Sequence, residues 1–182
     1  MAEKNDIFAK AAKKAFVRKL LYDLFLWLVG VGGWLAVSYF VVYVLEDPLI
    51  MKGYLIATIG ISGIAALLIV VFRSRKFRRF NERLAGFPAD EYKAMCENAE
   101  EIYGAYYESC GYIIIPQLFY IDKSENIRSK HTVFHRTNGM YDGAVIKMVN
   151  ADNKTLEITV GIKHLKQIAR DNGYDSGIKW RR

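Results

Sequence analysis

The chain has 182 residues, 52% of them apolar, and a formal net charge of +7. That length holds one small core-bearing domain beside membrane-spanning segments. The basic excess sits next to long apolar runs, which is the charge pattern of a membrane protein and argues against a nucleic-acid partner.

Met1–Leu20 reads as an amphipathic arm (residues 1–20). Asn5 or Asp6 can cap a helix, and Ile7, Phe8, Ala11, Ala15 and Phe16 recur near helical spacing. The arm reads first as the cytoplasmic start of the first span, a reading that does not exclude an in-plane helix on anionic lipid. Two apolar runs follow, Leu21–Leu45 and Leu49–Phe72, around the polar break Glu46-Asp47-Pro48. As helices each exceeds the ~30 Å of a hydrocarbon core, and helices satisfy their own backbone amides in lipid. Residues 21–72 therefore read as a two-span hairpin. Ala36 and Ser38 match a signal-peptidase pattern only loosely, and the apolar run continues past them, so the first span reads as an uncleaved anchor.

Lys4, Lys10, Lys13, Lys14, Arg18 and Lys19 precede the first span. Arg73, Arg75, Lys76, Arg78, Arg79 and Arg83 follow the second, and only Lys52 lies beside the loop. The positive-inside rule then places both termini in the cytoplasm and the chain in the cell membrane. Tyr43 and Tyr54 suit the outer interface, whereas Trp34 is central enough to pack. Asp23 is the acid of the first run and reads as an interfacial residue close to Lys19. The small residues Gly32 and Ala36, Gly53 and Ala57, and Thr58, Ser62 and Ala66 recur four apart, a spacing that allows close helix approach. These faces are expected to meet each other first and to support a homo-oligomer second.

Residues 73–86 read as a basic extension of the second helix, ended by Gly86. Its cations Arg73, Arg75, Lys76, Arg78, Arg79 and Arg83 are the expected contacts for the anionic headgroups of a lipid bilayer. Residues 87–182 read as a cytoplasmic α+β domain, a small antiparallel sheet with helices, and the fragment Arg73–Arg182 is expected to fold alone. Pro88–Cys110 carries one apolar helical stripe through Tyr92, Met95, Ala99, Ile102, Tyr103, Tyr106 and Cys110, with Asp90, Glu91, Glu97, Glu100, Glu101 and Glu108 over much of the rest. Five strand candidates follow: Tyr112–Ile115, Leu118–Ile121, His131–Arg136, Gly143–Val149 and Thr155–Val160. The last two flank an Asn/Asp-rich turn and read as a hairpin. Gly161–Asp171 reads as a helix capped at Gly173, and the tail Ile178–Arg182 is basic and aromatic.

Two spans followed by this strand hairpin and helix resemble small bacterial membrane proteins with a pleckstrin-homology-like cytoplasmic domain. The resemblance rests on Gly143–Val149, Thr155–Val160 and Ile162–Ala169. It implies an architecture, carries no diagnostic motif and transfers no functional residue. Five strand candidates fall short of the seven of that fold, so a half-barrel or a simple sheet with helices fits equally.

The phosphate-loop, dinucleotide, zincin and nucleophile-elbow patterns are absent, and no enzyme activity or cofactor is expected. His131, His135 and Cys110 match no zinc spacing, His164 has no evident partner, and Cys96 and Cys110 lack an identifiable base. On the cytoplasmic side these thiols stay reduced. Two function classes remain. One is a membrane-anchored interaction or scaffold module that binds a protein or lipid headgroup. The other is a small oligomeric transport or channel subunit. The scarcity of polar residues along the spans favours the first.

Overall fold

A computed structural model describes residues 6–45, 48–137 and 140–173 and, within them, the side chains outside 41–52 and 136–141. The interhelical break Glu46-Asp47, the side chains of Tyr43 and Lys52, and the basic tail Ile178–Arg182 lie outside the described residues. Helix α1 runs from Ile7 to Leu45 and α2 from Pro48 to Ala85. Both are long and apolar enough to cross a membrane. They are followed by a small antiparallel two-sheet domain with helices. The chain divides into two compact units, residues 13–79 and residues 80–182 joined by the N-terminal residues through Ala12.

In the first unit the helices leave a broad apolar surface uncovered, including Phe25, Val37, Phe40, Ile56, Ile61 and Leu67. Such a surface is stable against lipid or another helix and not against water. The half-buried positions Asp23, Trp27, Val31 and Leu35 of α1 and Thr58, Ser62, Ala66 and Ile69 of α2 mark a seam of helical period on each. Phe16 stacks on Phe77 at 4.8 Å and Trp34 on Tyr54 at 6.2 Å. Asp23 Oδ2 accepts from Arg73 Nε at 2.6 Å, with both side chains about three-quarters buried. Thr58, Ser62 and Ala66 lie on the seam as expected. Gly32, Ala36, Gly53 and Ala57 are exposed, and a Cβ at either glycine would meet nothing within 4 Å.

The second unit begins with α3, Ala89–Glu97. Four strands form one meander: β1 (Glu100–Ile102), β2 (Tyr106–Ser109), β3 (Tyr112–Ile115) and β4 (Tyr120–Lys123). Three more form a second meander: β5 (Ile127–Thr137), β6 (Met140–Asn150) and β7 (Thr155–Val160), followed by helix α4 (Leu165–Asp171). Ile113 and Ile115 of the first sheet, Ile146 and Met148 of β6, Ile158 of β7 and Ile168 of α4 share one buried core. β7 alternates buried and exposed along its length, as Leu156, Ile158 and Val160 require.

Strand β3 is apolar without alternation because both its faces are covered. Ile114, on the face opposite Ile113 and Ile115, is fully buried. Its register partners are Tyr107 and Ile121. Phe8 of α1 packs edge-on against Tyr107 at 5.5 Å, and Phe80 of α2 lies 6.2 Å from Phe119. Phe8, Ala12, Phe80 and Met95 are wholly buried. The first turns of α1 and the last turns of α2 therefore supply a layer of this unit. Asp6 caps α1, its Oδ1 accepting from Ala9 N at 2.8 Å. The arm is thus the start of α1, and its apolar face meets protein.

The helix expected over Pro88–Cys110 ends at Glu97, and this is the main correction to the sequence reading. Asn98 closes it, donating from backbone N and Nδ2 to Ala94 O. The helical stripe dissolves into two strands because of two turns. Tyr103 and Gly104 have φ of 52° and 62°, and Cys110 and Gly111 have φ of 47° and 78°. Paired positive φ values are those of tight hairpin turns that suit the twist of antiparallel strands. Pro116–Leu118 forms a 3₁₀ turn in place of the start of the expected strand Leu118–Ile121. The hairpin at Asn150–Lys154 is as expected: Asn150 Oδ1 accepts from Lys154 N at 2.8 Å, and Asn153 takes φ 59°.

Candidate functional site

A cleft of about 310 Å³ opens between the β1–β2 hairpin, the middle of β5 and the end of α4. Ile102 and Ile146 give it an apolar floor, and Lys130, His131 and Thr132 bring β5 to its rim. The register explains the placement. Lys130, Thr132 and Phe134 stand opposite Met148, Ile146 and Ala144 of β6, all three buried. These β5 side chains therefore lie on the core face of the sheet, where the two sheets part, while His131, Val133 and His135 lie on the other face.

Lys130 Nζ donates to Tyr106 Oη at 2.7 Å and to Glu108 Oε1 at 3.0 Å, and its amine lies 5.3 Å from the centre of the Tyr106 ring. Burial works against the Lys130 charge, but the bonds to Tyr106 and Glu108 prevail and raise its pKa. Burial likewise raises the Tyr106 pKa, with Lys130 opposing. At the other wall, Tyr103 Oη donates to Asp171 Oδ2 at 2.7 Å. Burial and then this bond push Tyr103 up to about 12. The Lys130 ammonium is a donor only, whereas a protonated tyrosine hydroxyl both donates and accepts, as Tyr106 does between Glu108 and Lys130. The cleft offers fixed donors and acceptors over an apolar floor.

A second cleft, of about 320 Å³, lies where α2 ends. Arg83, Phe87, Tyr112 and Lys123 line it together with Asp122. Burial works against the Asp122 charge, yet Tyr120 Oη, Asn126 Nδ2 and Lys123 N donate to it and hold its carboxyl below the ordinary range. The Arg83 charge acts in the same direction.

The basic residues expected to meet lipid are spread around α2. Arg75, Lys76, Arg78, Arg79 and Arg83 are exposed, while Arg73 is engaged by Asp23. Lys76 Nζ lies 4.6 Å over the Phe72 ring. His131 and His135 stand beside Lys147 and Gly143 on the outer face of the second sheet, and Cys110 sits in the β2–β3 turn. Among the described residues no three His, Cys, Asp or Glu side chains gather as a metal site. Burial, and next the Asp6 carboxylate, push the Cys96 thiol up, away from the nucleophilic thiolate.

The first cleft is hidden in the sequence because Tyr106 and Glu108 fall within a stretch of helical periodicity. Two X-Gly pairs, Tyr103-Gly104 and Cys110-Gly111, were the available signal for a hairpin. No protein-family model matches this chain, and no curated protein or solved structure matches it significantly.

Proposed function

We propose that the chain is a membrane-anchored interaction or scaffold module: the hairpin localises it, and the cytoplasmic unit binds a partner in the cleft beside β5. The observation that carries this reading is the cleft itself, an apolar floor of Ile102 and Ile146 beneath the donors and acceptors of Lys130, Glu108 and Tyr103. The unit is pleckstrin-homology-like. A four-strand meander, a three-strand meander and a closing helix on one core support that assignment. Both termini are cytoplasmic, as the basic flanks of both spans require. Arg75, Lys76, Arg78, Arg79 and Arg83, exposed along α2, then face anionic headgroups. The pairing of Asp23 with Arg73 removes the acid that an ion path would use, which favours the anchored module over a transport subunit.

The test is a photo-crosslinking amino acid placed at Thr132 in the cleft or at Lys166, an exposed position of α4, in native membranes. A discrete adduct from Thr132, absent from Lys166 and lost on Lys130→Glu, is expected. Identical adduct patterns from both positions would sink the assignment. Impermeant thiol labelling of a cysteine at Asn153 in intact cells should fail, and success would reverse the topology.

A further inference from the structure

We infer that the outer edge of β5 binds an extended acidic segment of a partner protein as an added strand. This rests on the interaction-module reading above and names its partner class. β5 is eleven residues long, and among the described residues it pairs only with β6. Its other edge presents a row of backbone N–H and C=O groups, the template on which strand addition works.

The cleft runs beside the middle of this edge, at Lys130, His131 and Thr132. An added strand would alternate its side chains between two environments. One set would lie over the floor of Ile102 and Ile146, next to Lys130 and Thr132. The other would lie next to His131 and His135 on the outer face.

Charge selects the occupant. The β5 sequence carries the cations Arg128, Lys130 and Arg136, with His131 and His135 between them, and not one carboxylate. Two copies pairing edge to edge would set cations against cations, which disfavours self-association through this strand. An acidic segment sets carboxylates beside the same cations. Two acids also line the cleft: Glu108 is offset by its pairing with Lys130 at 3.0 Å, and Asp171 accepts from the neutral Tyr103 hydroxyl and keeps its charge, so the attraction rests on the excess of cations along the strand as a whole.

The test uses the full chain in phosphatidylcholine nanodiscs, so that anionic lipid does not compete. The probes are three fluorescein-labelled peptides of about eight residues. One alternates Glu and Val, one alternates Lys and Val, and one is the Glu peptide N-methylated at every second amide. Anisotropy should show the Glu peptide binding at least about tenfold tighter than the Lys peptide, because opposite cross-strand charges attract. N-methylation should cost a similar factor by removing ladder donors. Amide exchange should slow in β5 and stay unchanged in β4 and β7. The exposed pair His131→Glu and His135→Glu, with an unchanged thermal melt, should narrow the Glu-over-Lys preference. Equal binding of the Glu and Lys peptides, full retention of binding on N-methylation, or protection at another sheet edge would each overturn the proposal. Failure of all three peptides to bind would also overturn it. It would leave the module reading to be judged separately by the Thr132 adduct.

Discussion

The hydroxyl of Tyr92 donates to Asp6 Oδ1 at 2.5 Å across 86 positions of sequence. The same oxygen accepts from Ala9 N, so one carboxylate both caps α1 and ties it to α3. Burial and then this bond raise the Tyr92 pKa well beyond the ordinary phenol range. Phe8, two residues on, packs against Tyr92 at 6.2 Å and Tyr107 at 5.5 Å. This unit is therefore discontinuous in sequence, closed by the N-terminal turns of the first helix.

A fragment beginning at Phe80 would lack Phe8 and Ala12 and leave their site open. Losing a buried phenylalanine costs roughly 3–5 kcal/mol. Phe8→Ala in the full chain should lower the melting temperature of the C-terminal unit, followed by tyrosine fluorescence. A peptide of residues 1–20 added in trans should raise the melt of the fragment. A fragment that melts identically with and without the peptide would show that the docked turns are dispensable.

Asp23 and Arg73 join the two helices of the hairpin. Removing one partner of a largely buried pair leaves the other uncompensated, at a cost of about 1–3 kcal/mol here given the residual exposure. Asp23→Asn and Arg73→Gln should each destabilise the hairpin in mild detergent, and the double variant should cost less than their sum. Strict additivity in this cycle would mean that the two charges do not interact.

Gly104 and Gly111 both take positive φ, but their surroundings differ. A Cβ at Gly104 would stand 2.9 Å from His164 Nε2, whereas one at Gly111 would meet nothing within 4 Å. Gly111→Ala should cost only the left-handed backbone term, about 1–2 kcal/mol. Gly104→Ala should cost more, and His164→Ala should recover the excess. Equal melting temperatures for the two alanine variants would remove His164 from the account.

Tyr103 and Tyr120 are each pushed up to about 12, first by burial and then by the bonds to Asp171 and Asp122 respectively. In the unfolded chain a tyrosine ionises near 10. A raised folded pKa means the native state keeps a proton that the unfolded state releases. This contribution is fully present below about pH 10 and is lost as pH rises to about 12. Chemical denaturation across that window should show a steep alkaline loss of stability that is shallower in the Tyr103→Phe, Tyr120→Phe double variant. An unchanged slope would place the loss elsewhere.

The sequence by itself determined the two long apolar helices, the hairpin at Asn150–Lys154 and strand β7, and it narrowed the cap of the first helix to Asn5 or Asp6. Each of these is a local property: run length, turn chemistry or period-two alternation within a few residues. Tertiary structure decided the rest. The stripe Tyr92, Met95, Ile102, Tyr106 has helical spacing, yet Tyr106 and Ile102 serve a sheet, because Gly104 and Gly111 take left-handed turns that a helix could not hold. Periodicity reports which residues are apolar, and here the partner across the turn decided which backbone buried them. The cleft joins Glu108 to Lys130 across 22 positions, and the N-terminal layer joins Asp6 to Tyr92 across 86. Such pairings depend on how strands and helices stack around a shared core, and no window of neighbouring residues contains that information.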